Sequence, residues 1–78
     1  MKNATFYHAG CPVCVNAEEE ILNLVDPRKV RVHTVHLGES TDQISAAEAH
    51  GVQSVPALVI EDNVLHINFG ASLEDLKA

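Results

Sequence analysis

The feature that most restricts this 78-residue chain is the Cys-Pro-Val-Cys sequence at residues 11–14. It follows residues 4–8, a β-branched and aromatic segment that predicts a strand. Pro12 suits the first position of a helix, because its φ is pre-set and its missing N–H would be unpaired there anyway. The pattern therefore predicts a strand, a tight turn at Ala9-Gly10 and a helix that begins at the cysteines.

Helical and strand patterns continue after this start. The first helix carries apolar residues at helical spacing on one face, namely Cys14, Ala17, Ile21, Leu24 and Val25. Asp26-Pro27 ends this helix, and the Val-rich residues 30–37 predict the second strand. The spacing Ser40-x-x-Gln43 predicts a capping box that opens a short second helix.

The last third of the chain predicts a hairpin and a helix. Residues 57–61 and 64–69 read as two strands joined by a two-residue turn at Asp62-Asn63. Ser72, with an acidic residue three positions later, opens the final helix. The order β-α-β-α-β-β-α predicts an α/β fold with a mixed four-stranded sheet flanked by helices, as a single domain over residues 1–78.

Charge and hydropathy exclude several classes of function. Eleven acidic and five basic residues give a net charge of −6, which argues against binding nucleic-acid phosphates. No apolar run approaches the roughly 20 residues that cross a membrane, and no signal-peptide pattern follows Lys2. We therefore expect a cytoplasmic protein without membrane contact, in which a Cys-x-x-C pair indicates redox chemistry rather than a structural disulfide.

The spacing makes the two cysteines chemically unequal. Cys11 lies at the helix N-terminus, where unpaired N–H groups and the helix dipole favour a negative sulfur. Cys14 lies one turn further along, partly on the core face and within reach of Cys11. We expect Cys11 to attack a substrate disulfide and Cys14 to resolve the mixed disulfide, with no metal and no bound cofactor.

A second candidate segment lies at residues 51–58, where Pro56 stands at the start of a predicted strand. If the Val55–Pro56 bond is cis, the Val55 backbone turns outward and can pair with an extended substrate. The sequence alone does not decide the isomer of this bond.

Three segments, in the right order, resemble the thioredoxin/glutaredoxin superfamily. Residues 6–14 resemble its strand–turn–helix active site, residues 51–58 its cis-proline segment, and residues 69–71 the start of its last helix. The resemblance covers nearly the whole chain and implies a thioredoxin-like fold. It implies that Cys11 attacks and Cys14 resolves.

The resemblance also implies a substrate-binding surface around the cysteines. It implies that Pro56 is cis and packs against the disulfide, while Val55 binds the substrate backbone. The full set of candidate substrate-binding residues is Tyr7, Pro12, Val13, Ser54, Val55 and Pro56. Thr5 stands where thioredoxins carry a buried carboxylate, so proton transfer at Cys14 is expected to use water, His8 or another group.

The subfamily is open at this level. The size and the Cys-Pro-x-Cys sequence are similar to glutaredoxins, whereas residues 51–58 and 70–71 are more similar to thioredoxins. We interpret the chain as a small, monomeric reductant of disulfides in proteins, acting in electron transport and cell redox homeostasis. Thioredoxin reductase or glutathione, as a co-substrate, would recycle it.

Three alternative functions remain beside this interpretation. The first is a glutathione-dependent glutaredoxin, for which Lys2 is the only basic residue expected near the site. The second is a metal- or cluster-binding module, which would need about four ligands where this chain supplies two cysteines. The third is a redox-silent binding domain that keeps the fold for protein contacts.

Two histidine patterns complete the candidates. A protonated His8, just before the active-site turn, would favour a negatively charged Cys11, and we name it as a possible modulator of that thiol's pKa. The competing interpretation is an ordinary surface histidine at a strand end. His33 and His36 lie three apart on a predicted strand, so they point to opposite faces and do not suit one metal ion.

Overall fold

The computed structural model describes residues 2–61 and 63–77, leaving aside the side chains of Asn68 and Phe69. The strands are β1 Lys2–His8, β2 Val30–His36, β3 Ser54–Ile60 and β4 Asn63–Ser72. The α-helices are α1 Pro12–Leu24, α2 Ile44–Ala49 and α3 Leu73–Lys77. A 3₁₀ turn, Thr41–Gln43, directly precedes α2.

The four strands form one mixed sheet in the order β2-β1-β3-β4. β1 pairs in parallel with β2, and α1 makes the crossover between them, as a right-handed βαβ connection requires. β3 runs antiparallel to both β1 and β4. The predicted mixed four-stranded sheet is therefore confirmed, and its central strands β1 and β3 lead directly to the cysteines and to Pro56.

The core consists of two apolar clusters, separated by the alternation of side chains along β1. Ala4 and Phe6 pack with Ala17 of α1 and Leu58 of β3. Tyr7 belongs to a larger cluster that includes residues of all three helices, among them Cys14, Ile44, Ala47 and Leu73. In the described part of the chain, no helix is long and apolar enough to cross a membrane.

The hairpin turn lies one residue earlier than predicted. Ile60 pairs with Asn63, so Asn63 belongs to β4 and not to the turn. Glu61 adopts a left-handed φ of 55°, as tight hairpin turns require, and Asp62 lies outside the described residues. β4 then continues to Ser72, which places residues 69–71 in a strand rather than at the start of the last helix.

Only one of the two predicted helix caps forms. The Asp75 N–H donates to Ser72 Oγ at 3.2 Å and begins α3. No side chain caps the segment at Ser40. The predicted capping box is wrong because the Gln43 N–H donates to the backbone carbonyl of Ser40 instead, forming a 3₁₀ turn.

The apolar stripe of α1 also departs from prediction at its C-terminal end. Leu24 is 81% exposed, although its spacing predicts burial. It occupies the last helical position, and Val25 rather than Leu24 continues the stripe as a half-buried residue. Leu22 is exposed as well.

This difference in burial predicts a difference in stability between two identical substitutions. Leu37 is fully buried, so Leu37→Ala leaves a cavity and should lower the free energy of unfolding by about 2–5 kcal/mol. Leu24→Ala removes an exposed side chain and should change it by less than about 0.5 kcal/mol. Urea unfolding followed by circular dichroism measures both values. Equal losses in the two variants would contradict the described packing.

Candidate active site

The candidate active site is built on the turn between β1 and α1. Gly10 has a φ of +79°, a left-handed conformation that glycine adopts without steric cost. The backbone then becomes extended at Cys11, the N-cap of α1, and Pro12 occupies the first helical turn. The predicted strand, turn and helix start are all present.

The two cysteine sulfurs are in contact and both thiols are free. Cys11 Sγ lies 2.7 Å from Cys14 Sγ. The Cys14 backbone N–H donates to Cys11 Sγ at 3.2 Å. The sulfur thus takes the place of the oxygen that usually caps a helix, and the donated N–H together with the helix dipole favours negative charge on it.

The environments of the two thiols differ. Cys11 is half-buried, whereas Cys14 is completely buried. Burial raises the pKa of the Cys14 thiol, and its hydrogen bond with Cys11 raises it further. Cys14 therefore keeps its proton over a wider pH range than an ordinary thiol, and Cys11 is the sulfur that an incoming molecule reaches.

Gly70 of β4 lies at the site, although it is not among the site residues predicted from sequence. A Cβ there would lie 2.5 Å from Cys11 Sγ, 3.3 Å from Cys14 Sγ and 3.0 Å from the Val55 carbonyl oxygen. The strand can pass this close to both sulfurs only because residue 70 has no side chain. A glycine inside a strand often marks a close backbone approach, but this signal appears only because β4 extends past the predicted strand end to Ser72.

The structure corrects one predicted feature at Val55. The Val55–Pro56 bond is cis, the isomer that the resemblance implies. Val55 is completely buried and pairs with Ala71 of β4, so the expected unpaired backbone is not found. The long β4 is the reason, because it continues past Gly70 and covers Val55.

Tyr7 is a second correction among the candidate substrate-binding residues. It is only 4% exposed and belongs to the larger core cluster, where burial raises the pKa of its phenol. Its side chain is therefore not accessible to an incoming molecule in this structure. By contrast, Pro12 is exposed and Val13 and Ser54 are half-buried, so these three remain accessible to an incoming molecule.

His8 has a different contact from the one predicted. Its Nδ1 accepts the Gly10 N–H at 3.1 Å, which requires that nitrogen to be unprotonated. Burial, with a smaller effect of His36, lowers the pKa of His8 despite the opposing influence of Glu18 and Glu39. His8 is therefore neutral at pH 7, and the prediction of a cation beside Cys11 is wrong.

Three of the five basic residues lie at the end of β1 far from the thiols. Lys2 begins β1 and lies beside Arg28 and Lys29, at the opposite end of that strand from His8. The expectation that Lys2 stands near the site is wrong, because a seven-residue strand separates its two ends by about 20 Å. Lys77 pairs with Glu48 and Glu74.

His33 and His36 are not arranged as a metal site. His33 is exposed, whereas His36 packs against His8. Within residues 2–61 and 63–77, no group of three or more His, Cys, Asp or Glu side chains is placed to hold a metal ion.

Comparison with known proteins adds two matches. A family model described as the thioredoxin domain matches residues 3–76. The chain is also similar to the solution NMR structure of a dimeric thioredoxin-like protein from Nitrosomonas europea. The identity is 56% over 99% of this chain and 96% of that chain, with a TM-score of 0.92. A search of the curated proteins gives no match.

The close approach at Gly70 generates a testable prediction. Gly70→Ala places a methyl group against Cys11 Sγ, so the dithiol should close to a disulfide at least about tenfold more slowly. Stopped-flow oxidation with diamide measures this rate.

Gly51→Ala is the matched control for this substitution. Gly51 also has a positive φ, but a Cβ there meets only Val64 Cγ2 within 4 Å. Its replacement should lower stability without changing the oxidation rate. An unchanged rate in a folded Gly70→Ala variant would mean that β4 does not constrain the sulfurs.

Proposed function

Because this chain belongs to the thioredoxin family, we propose that it is a thiol–disulfide oxidoreductase that reduces disulfides in proteins through Cys11 and Cys14. The proposal depends most on one observation, which is that two free sulfurs lie 2.7 Å apart in unequal environments. One caps a helix near the surface, and the other is buried with a raised pKa. The reaction needs this difference in environment, because one sulfur must attack the substrate first and the other must stay protonated until the second step.

In the first step, the Cys11 thiolate attacks one sulfur of the substrate disulfide. A Cys11–substrate disulfide forms, the substrate S–S bond breaks, and the other substrate sulfur leaves as a thiolate that takes up a proton. The Cys14 N–H and the N-terminus of α1 stabilise the attacking thiolate before it reacts. Accessible Pro12, Val13 and Ser54 border the approach to this sulfur.

In the second step, Cys14 attacks Cys11 Sγ and releases the second substrate thiol. The Cys14 proton passes to water or to the departing thiolate, because Thr5 has no ionisable side chain. The Cys11–Cys14 disulfide forms, and two electrons and two protons have moved to the substrate. Since Cys14 keeps its proton until this point, the buried thiol does not compete in the first step.

An external reductant must reopen the Cys11–Cys14 disulfide. We propose a thioredoxin reductase for this role, with glutathione as the alternative co-substrate. The charges favour the first, because glutathione is anionic while Lys2, Arg28 and Lys29 lie at the far end of β1. The cytoplasm, where thiols are kept reduced, is the compartment that this proposal implies.

Cysteine variants test the mechanism. Cys11→Ser removes the nucleophile, so insulin reduction with NADPH and thioredoxin reductase should fall to the rate without added protein. Cys14→Ser keeps the first step but cannot complete the second, so it should accumulate a covalent mixed disulfide visible by mass spectrometry. A Cys11→Ser variant with wild-type turnover would rule out the proposed roles.

The same assay distinguishes the reductants. The oxidised wild-type protein is incubated with NADPH and insulin in two mixtures, one with thioredoxin reductase and one with glutathione and glutathione reductase. We expect faster NADPH loss in the first mixture. Faster loss in the second would assign the protein to the glutaredoxin branch and contradict the charge argument.

We further propose that the chain forms a dimer rather than the monomer expected from sequence. The similar protein from Nitrosomonas europea is described as dimeric. Here an apolar groove lies between the end of α1 and the edge strand β2, lined by Leu22, Val25, Pro27, Val30, Arg31 and Val32. Leu22, which lines this groove, is 54% exposed. A second copy of the chain would remove this apolar surface from water.

Light scattering over a concentration series tests this assembly. The wild-type protein should reach twice the 8.4 kDa mass of one chain. Leu22→Glu should raise the dissociation constant of the dimer at least about tenfold, because it places a charge in the apolar groove. Leu65→Glu, at an exposed leucine of the opposite edge strand, should leave the constant unchanged. A wild-type monomer throughout, or dissociation only by Leu65→Glu, would contradict the proposal.

A further inference from the structure

Two imidazoles lie side by side beneath the active-site turn. His8 ends β1 and His36 ends β2, and the parallel register makes them direct neighbours. Their ring centroids are 4.6 Å apart, with the planes inclined by 58°. His8 is only 8% exposed, and its other face stacks on Phe6 with centroids 5.8 Å apart.

The backbone around the turn is shaped to fit these rings. A Cβ at Gly10 would lie 2.6 Å from His36 Nε2, and a Cβ at Gly38 would lie 2.8 Å from His36 Cε1. His36 is itself held in place, because its Nδ1 accepts the Glu39 N–H at 3.2 Å. The turn that precedes Cys11 therefore packs its bare backbone directly against His36.

One hydrogen bond ties the turn to His8. The Gly10 N–H donates to His8 Nδ1 at 3.1 Å, and Gly10 is the residue directly before Cys11. The proton of the neutral ring is then on Nε2, which lies 3.9 Å from Glu18 Oε2 of α1. If Nδ1 also gained a proton, two donors would face each other and the bond to Gly10 would be lost.

We propose that neutral His8 is a positioning residue for Cys11, and that its protonation releases the Gly10 turn and slows the chemistry of the thiol. His8 acts through the backbone of Gly10, not by touching a substrate. The inference uses the proposed function only in taking Cys11 as the attacking sulfur. The contacts themselves stand independently of which disulfide is reduced.

The charges around His8 determine the pH range of this effect. Glu18 faces it from α1, His36 from β2 and Glu39 from the turn after β2. Burial is the largest influence and lowers the pKa from 6.5; His36 lowers it further, whereas the two glutamates raise it. The folded pKa thus lies below the unfolded one. The stabilising effect of neutral His8 is complete above pH 6.5 and is lost as the pH falls through the folded value.

The test compares variants that separate the acceptor from the titration. His8→Asn offers Oδ1 as an acceptor at nearly the position of Nδ1 but cannot gain a proton. His8→Leu removes the acceptor. Glu18→Gln removes the carboxylate that favours the His8 cation, so it should move the titration to lower pH. The readouts are the Gly10 amide signal in NMR spectra and the rate of Cys11 alkylation by iodoacetamide, both followed from pH 8 to about pH 4.5.

In the wild-type protein, the Gly10 amide should shift together with the His8 ring signals. Below pH 6.5 the alkylation rate should fall about two- to tenfold more than one thiol ionisation explains, the ratio expected for loss of one hydrogen bond. His8→Asn should lack this extra fall, and His8→Leu should be slower at all pH values. Because Asn and Gln variants are conservative, they decide the question even if His8→Leu does not fold.

Two results would overturn the inference. One is a wild-type alkylation profile identical to that of His8→Asn. The other is a Gly10 amide that does not follow the His8 titration. Insulin reduction at pH 7.5, measured on the same wild-type preparation, keeps this inference separate from the proposed function. Inactive protein with the His8 effect present would refute only the function, and active protein without it would refute only the positioning role.

Discussion

The hydrogen bond from the Cys14 N–H to Cys11 Sγ is the interaction on which the rest of the site depends. It makes Cys11 Sγ the cap of α1, so this sulfur is held at the first turn of the helix. Pro12 supports the same geometry, since its φ suits the start of a helix. The same sulfur atom thus caps the helix and accepts the N–H that favours negative charge on it.

Packing of the sheet against the helix N-terminus gives the two thiols different exposure to water. The order β2-β1-β3-β4 brings the end of β4 against the helix N-terminus, where the backbone of Gly70 covers both sulfurs. Cys14 loses all contact with water there, which raises its pKa, while Cys11 stays partly exposed. The same extension of β4 pairs Ala71 with Val55, whereas Pro12, Val13 and Ser54 stay at least partly exposed.

His8 illustrates the limit of reasoning from sequence near a functional site. Its place before the turn pointed to a cation, because an exposed histidine beside a thiol commonly acts in that way. The ring is instead buried between Phe6 and His36 and accepts the Gly10 N–H, so it is neutral. The sequence predicts a possible modulator of the Cys11 pKa at this position, but the charge of His8 depends on neighbours that a distant strand supplies. Tyr7 departs from its predicted place at the substrate-binding surface for a similar reason, because packing between distant elements buries its side chain in the core.

Sequence by itself determined the features that arise within a few residues. The helix start at Cys11, the contact between two cysteines three positions apart and the cap at Ser72 are examples, because backbone geometry over one turn decides them. Tertiary structure alone decided which residues meet across the sheet. Gly70 reached the sulfurs and Lys2 was carried to the far end of β1 because strand pairing joins residues that are distant along the chain. Burial and charge state follow from those pairings, and no local pattern specifies them.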